Sequence, residues 1–261
     1  ANNFQDKEIY NAELIKNKIP IVAIPTTAGA GAEATPFSVL SDKNTKLKAG
    51  AGHPFLFPDL SFVDPKYTFT TSKIVTRDSG LDALSHLLEG IYSNRRNKII
   101  FPLIAKGINL IYKNLKKVMK YPDHKIAREN MMIAALYGGM TIAQTSTTLQ
   151  HSIGYPLTSR LGITHGAANA IVMKFIMRLF YPAVKSEFDD IMKLANLKKN
   201  KFIEFIESFD IDISNKSNAS IIADNIQDIT KQIMNSRNML NNPIKIIECD
   251  ILEIYKKLKL I

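Results

Sequence analysis

The chain has one cysteine, Cys249, and no long apolar run among its 261 residues. A lone cysteine excludes an internal disulfide, and we therefore expect a cytoplasmic protein, since thiols stay reduced there. No run approaches the roughly 18 consecutive apolar residues that a membrane span requires. Residues 1–18 are polar throughout and predict no signal peptide. These absences favour a globular protein without a membrane segment.

The charge balance is strongly basic, with a formal net charge of +10. A basic chain can indicate a nucleic-acid partner. Here the lysines are spread along helical surfaces, with little aromatic interleaving and no recognition motif. We therefore interpret them as solvated faces and expect no nucleic-acid partner. A basic cavity mouth that attracts an anionic cofactor or substrate stays open as the alternative.

The sequence changes character near residue 72. Short β-like runs come first, at 19–24, 37–40, 46–49 and 60–63, with a hairpin turn at 42–44. Amphipathic helical patterns follow, at 74–92, 101–119, 127–144, 168–179, 188–195, 202–209, 219–234 and 249–258. We predict two parts: residues 1–72, a small β-rich segment, and residues 73–261, an all-helical domain.

Three of the five histidines and one aspartate form the most informative pattern. Asp82 and His86 are four residues apart, which places both side chains on one face of a helix. His151 and His165 belong to a second segment. One carboxylate and three imidazoles are a complete ligand set for a divalent transition metal such as Fe(II) or Zn.

Each of these residues also has a plainer interpretation. A helical Asp–His pair is often a local ion pair at the surface. His151 by itself fits a buried, hydrogen-bonded histidine, and His165 fits a helix start. Pro156 and Gly162 interrupt the pattern between the two histidines, which predicts a helix, a turn and a second helix.

Four segments in this order resemble the iron-containing (group III) alcohol dehydrogenases. GLDALSHLLEGIYS is similar to that family's GxDALxHxxExYxS, with Ile91 in place of its tyrosine. HSIGYPLTSRLGITHGAANAI is similar to HxxxHPLGxxxxxPHGxANAI, with the same separation between the two outer histidines. IPTTAGAGAEATPFSVLSD and LSFVDPKYTFT are similar to IPTTAGTGSEVTxxAVITD and xxxVDPxLTxT. The similarity is strong over residues 19–173 and faint near the C-terminus.

The resemblance implies a fold, a metal and an activity. The expected fold is mainly α, a helical metal-binding bundle like the family's C-terminal domain and dehydroquinate synthase, preceded by a small β-rich remnant of an α/β cofactor domain. The expected reaction is hydride transfer between NAD or NADP and a small alcohol or aldehyde, in a homodimer. The residues that match the family's metal ligands are Asp82, His86, His151 and His165.

The resemblance also implies residues that contact the cofactor and the substrate. Those expected near the cofactor are Thr26, Thr27, Gly29 and Lys48. Tyr155 replaces a family histidine, and we expect its hydroxyl to donate a hydrogen bond to the substrate or to relay a proton. The alternative for Tyr155 is an aromatic side chain packed beside Pro156.

The phosphate-binding turn of the cofactor domain is missing from this sequence. The family carries a GGGS turn that holds the dinucleotide, and no such segment precedes Ile21. Gly138-Gly139 lies inside a helical pattern. Gly29–Ala34 fits G-x-G-x-x-G/A, but Pro36 follows and no carboxylate stands roughly 20 residues later. We expect either a fragment of a longer protein or a truncated copy, and the competing hypothesis is a non-catalytic metal-binding or assembly module.

The sequence around Tyr155 favours one class of substrate. It is closer to the family's phosphonoacetaldehyde-type members than to its propanediol or butanol members. Arg160 and the positive net charge would suit an anionic aldehyde of that kind.

Overall fold

A computed structural model describes residues 17–41, 48–209 and 211–261. The first part contains two small sheets. One is a parallel pair in which Val22 lies opposite Leu60, and the other is an antiparallel pair in which Phe37 lies opposite Gly52. The strands are β1 (Val22–Ala23), β2 (Phe37–Ser41), β3 (Lys48–Gly52) and β4 (Leu60–Ser61). The turn predicted at 42–44 lies outside the described residues.

Helices make up most of the rest, which confirms the mainly α fold. They are α1 (Lys73–Tyr92), α2 (Phe101–Lys120), α3 (Lys125–Thr145), α4 (Leu149–Leu161), α5 (His165–Phe180), α6 (Lys185–Leu194), α7 (Lys199–Glu207), α8 (Lys216–Met234) and α9 (Glu248–Lys257). The division of the chain at residue 72 stays a prediction.

Helix α1 forms the centre of the bundle, because its second half is buried on all sides. From Leu81 to Tyr92 every side chain is buried, and α2, α3 and α5 pack around it. The polar exceptions within this stretch include Asp82, His86 and Glu89. Buried polar groups are costly unless they have partners, so this face marks the candidate site.

Glycine allows two close approaches to this centre. A Cβ on Gly166, the second residue of α5, would lie 1.9 Å from the carbonyl oxygen of Asp78 in α1. A Cβ on Gly139 of α3 would lie 2.3 Å from the carbonyl oxygen of Gly31. Gly139 is therefore a packing residue inside a helix, as its sequence context indicates.

The predicted helix, turn and second helix are confirmed, with the turn at Gly162, but the expectation that Pro156 also interrupts the helix is wrong. Pro156 lies inside α4, which continues to Leu161 and ends at Gly162 in the left-handed region (φ 68°). A proline in a helix removes one hydrogen bond and costs about 3 kcal/mol. Pro156 and Leu157 are buried, and this packing offsets the lost bond.

No single helix among the described residues is long and apolar enough to cross a membrane. One pair of helices, 165–183 with 185–194, meets the length and composition requirement together, but it is bent by 112°.

Candidate metal centre

Three helices bring the four predicted ligands together. Asp82 and His86 come from α1, His151 from α4 and His165 from the first position of α5. One potential ligand atom each of Asp82, His86 and His151 lies within 4.8 Å of the other two. His165 Nε2 is 3.9 Å from Asp82 Oδ1, and His151 Nε2 is 4.0 Å from the same oxygen. Their assignment as metal ligands stays a prediction.

The pKa shifts of Asp82, His86 and His165 suit a divalent cation. Burial opposes the charge on Asp82, but the three histidines outweigh it and lower the pKa of this carboxyl to about 2. Burial lowers the pKa of His86, and it lowers the pKa of His165 to about 3. Metal ions bind ionised carboxylates and neutral imidazoles, so the residues present fit Fe(II) or Zn.

Glu89 belongs to the candidate site, and the sequence analysis gave it no role. Its side chain is fully buried, and its Oε2 forms a short hydrogen bond with His151 Nδ1. Oε1 accepts from the backbone N–H of Thr148 at 2.6 Å and from its hydroxyl at 2.8 Å. A carboxylate on Nδ1 fixes the imidazole tautomer and leaves Nε2 available to a metal.

A signal for Glu89 was present in the sequence. It lies three residues after His86, and a helix places side chains at this spacing on the same face. Burial works against its charge, but His151 outweighs burial and lowers the pKa of Glu89. Glu89 in turn raises the pKa of His151 against the effect of burial.

The junction between α3 and α4 sets the position of His151. Ser146 adopts φ 57°, a strained value for a residue with a side chain. The hydroxyl of Ser93 donates to the carbonyl of Thr145 at 2.7 Å, and the amide of Asn241 donates to the carbonyl of Thr147 at 2.9 Å. These bonds hold the chain where α4 must begin.

The four predicted ligands face a cavity of about 980 Å³. The antiparallel strands, α4 and the end of α8 form its walls. The ring of Tyr155 stacks on His165 with centroids 5.7 Å apart, and Lys48 Nζ lies 5.5 Å from the Tyr155 centroid. A small molecule in this cavity can reach the cluster, Tyr155 and Lys48 together.

The predicted cofactor residues divide into two groups. Lys48 lines the cavity, and burial lowers its pKa while Asp82 opposes that effect. Thr26 and Thr27 are exposed and lie outside the cavity lining. Gly29 is buried against α1, where a Cβ would lie 2.7 Å from Ser79 Cβ. Contact of these four residues with a cofactor stays a prediction.

Arg160 is not placed where it could bind the substrate in this cavity. Its guanidinium forms a short ion pair with Asp228 and donates to Asn225 at 2.9 Å, so it joins α4 to α8. It does not line the cavity. Lys231 and Arg237 do, and both are exposed.

Two models of one protein family match this chain. Residues 76–259 match the C-terminal part of the Fe-containing alcohol dehydrogenase family, and residues 1–65 match the iron-containing alcohol dehydrogenase family. The aldehyde-alcohol dehydrogenase of Streptococcus pneumoniae is 29% identical over 217 residues, 78% of this chain and 24% of that protein. The long-chain-alcohol dehydrogenase 1 of Geobacillus thermodenitrificans is 28% identical over 256 residues, 93% of this chain and 64% of that protein. The chain thus spans less than two thirds of the length of both relatives.

Solved structures show the same fold. An iron-containing alcohol dehydrogenase from Thermotoga maritima superposes with a TM-score of 0.84 at 30% identity, covering 99% of this chain and 69% of that one. A sulfoacetaldehyde reductase from Bifidobacterium kashiwanohense, solved with NAD+, gives 0.82 at 28% identity, covering 93% and 65%.

Proposed function

Because this chain belongs to the iron-containing alcohol dehydrogenase family, we propose that it acts in a metal-dependent alcohol dehydrogenase or aldehyde reductase. The hydride partner is NAD or NADP. The main observation behind this proposal is that four side chains converge on one side of a large cavity: Asp82, His86, His151 and His165. The relatives that match are named as alcohol and aldehyde dehydrogenases, which supports the reaction class.

The chain's own residues have distinct roles in this proposal. A bound Fe(II) or Zn ion supplies Lewis-acid stabilisation of charge on the substrate oxygen. Asp82 holds the ion with a negative charge, and Glu89 orients His151. Burial raises the pKa of the Tyr155 hydroxyl, which therefore stays neutral at neutral pH and donates a hydrogen bond to the substrate oxygen.

For the substrate we propose an anionic aldehyde, of the phosphonate or sulfonate type. Three cations, Lys48, Lys231 and Arg237, line the cavity, and none has a carboxylate partner among the described residues. Asp228 also lines it, but Arg160 neutralises that carboxylate. A relative of the same fold is named as a sulfoacetaldehyde reductase.

The test uses the protein expressed from its full natural reading frame. With Fe(II), we expect it to oxidise NADH or NADPH in the presence of a small aldehyde, to lose this activity with a chelator and to regain it with Fe(II). Failure of the metal-loaded protein to reduce any small aldehyde with either cofactor contradicts the proposal.

A second assay tests the substrate class. In a Lys231→Ala/Arg237→Ala variant, the KM for phosphonoacetaldehyde or sulfoacetaldehyde should rise about tenfold or more, while the KM for a neutral aldehyde stays unchanged. An equal rise for both aldehydes assigns these cations to the cofactor instead and overturns the anionic substrate.

A further inference from the structure

Asn169 lies among the predicted ligands, one helical turn after His165 on the same face of α5. It is fully buried. Its Nδ2 is 2.9 Å from Asp82 Oδ1, 3.1 Å from His151 Nε2 and 3.4 Å from His165 Nε2. One amide nitrogen therefore reaches three side chains from three helices.

Chemistry fixes which end of the amide faces the cluster. Asp82 is an ionised carboxylate and accepts hydrogen bonds, so the NH₂ group must point towards it. The amide oxygen then faces α4, where it has no hydrogen-bond partner among the described residues. A Cβ on Gly154 would lie 2.2 Å from this oxygen. Glycine inside a helix costs about 1 kcal/mol relative to alanine, and the space that Asn169 needs accounts for it.

We infer that Asn169 is a positioning residue that holds the Asp82 carboxylate in place for one metal ion, between the imidazoles of His151 and His165. Its amide donates to Asp82 Oδ1, which fixes the carboxylate rotamer. Each imidazole Nε2 has a single lone pair, so a bound metal ion would replace the amide at His151 and His165 and leave its hydrogen bond to Asp82 in place. Glu89 accepts the Nδ1 proton of His151 and so orients this imidazole from its other ring nitrogen. This inference rests on the proposed metal site.

The experiment measures Co²⁺ binding, because the visible absorption of Co²⁺ reports its coordination geometry. Asn169→Leu keeps the approximate shape of the side chain and removes the donor. We expect its Co²⁺ affinity, measured by competition with a chromophoric chelator, to fall about ten- to hundredfold. We also expect its visible spectrum to shift.

Two further variants separate positioning from folding. Asn114→Leu makes the same change at another buried asparagine, whose amide donates to the Leu110 carbonyl at 2.8 Å. It should lower the melting temperature and leave Co²⁺ affinity unchanged. Gly154→Ala keeps Asn169 but displaces its amide, and it should weaken Co²⁺ binding as Asn169→Leu does.

The outcomes are distinguishable. If the wild-type protein and Asp82→Ala bind Co²⁺ equally, the proposed metal site fails and the role of Asn169 fails with it. If Asp82→Ala loses Co²⁺ but Asn169→Leu and Gly154→Ala bind it with the wild-type affinity and spectrum, the metal site stands and the role of Asn169 is overturned.

Discussion

Some residues of the candidate metal centre act by orienting a predicted ligand. The pair of Glu89 and His151 is the clearest case, because a buried carboxylate sets which imidazole nitrogen faces the cavity. Glu89→Gln keeps the size of the side chain but removes its charge. We expect metal affinity to fall about ten- to hundredfold, as is typical for an outer partner of a ligand.

Competition with a chromophoric chelator checks this effect. Glu187→Gln is the matched control, because Glu187 bonds to Arg96 at 2.9 Å and belongs to neither the cluster nor the cavity lining. An affinity for metal that is the same in Glu89→Gln as in Glu187→Gln would contradict the role of Glu89.

Tyr155 is tested by removal of its hydroxyl. In the full-length enzyme, Tyr155→Phe should lower kcat about ten- to a hundredfold, because a neutral donor to the substrate oxygen is lost. Metal content should be unchanged. Wild-type rates in this variant would show that Tyr155 serves as a packed aromatic beside His165.

Glu33 gives a prediction about pH. It is buried in the short helix 32–34, and burial raises its pKa, with its backbone hydrogen bond partly opposing. The folded protein therefore holds this proton more tightly than the unfolded chain does. Its contribution to stability is present below the usual glutamate pKa and is lost as pH rises through the raised one.

Glu33→Gln removes the ionisable group, so the stability of this variant should not fall as Glu33 ionises. The variant should be more stable than the wild type at pH 7, and the difference should shrink towards pH 4. Urea denaturation at the two pH values measures the free energies of unfolding. A difference that is the same at both values would contradict a raised pKa for Glu33.

At the scale of elements, the contact between α1 and α5 sets the position of His165. Gly166→Ala places a methyl group 1.9 Å from the Asp78 carbonyl oxygen, so α5 must shift. We expect a loss of about 1–3 kcal/mol in the free energy of unfolding and weaker metal binding. Gly50→Ala, whose new Cβ would meet Val39 at 3.4 Å, is the control and should be nearly neutral. Equal stability of the two variants would contradict this packing.

Helical periodicity predicted most elements of the bundle, because outer helices such as α2 and α6 bury one apolar side. It failed at Pro156, where tertiary packing of α4 outweighs the local preference of proline. The β-rich part was harder to predict, and β1 and β4 are two-residue strands. Val22 and Leu60 remain more than half exposed, although parallel strands are normally covered on both faces. The two-stranded sheet of β1 and β4 therefore does not bury an apolar face of its own.

Part of the candidate site could be predicted from the sequence and part could not. The spacing of Asp82 and His86 is local to one helix and could be read from the sequence. The roles of Glu89 and Asn169 depend on how α1, α4 and α5 pack, since each contacts side chains from other helices. No periodicity within a single segment carries that information.

At the scale of the whole molecule, the central claim is that three helices converge on one metal ion. Binding at such a site stabilises the fold in proportion to the affinity, because the unfolded chain does not hold the ligands together. The metal should therefore raise the melting temperature of the wild-type protein.

Metal content tests this claim most directly. Elemental analysis should find about one divalent metal ion per chain in the wild-type protein and a much lower content in His86→Ala/His165→Ala, since that variant loses two of the four ligands. Equal metal content in the two proteins would contradict the convergence of these helices on a metal.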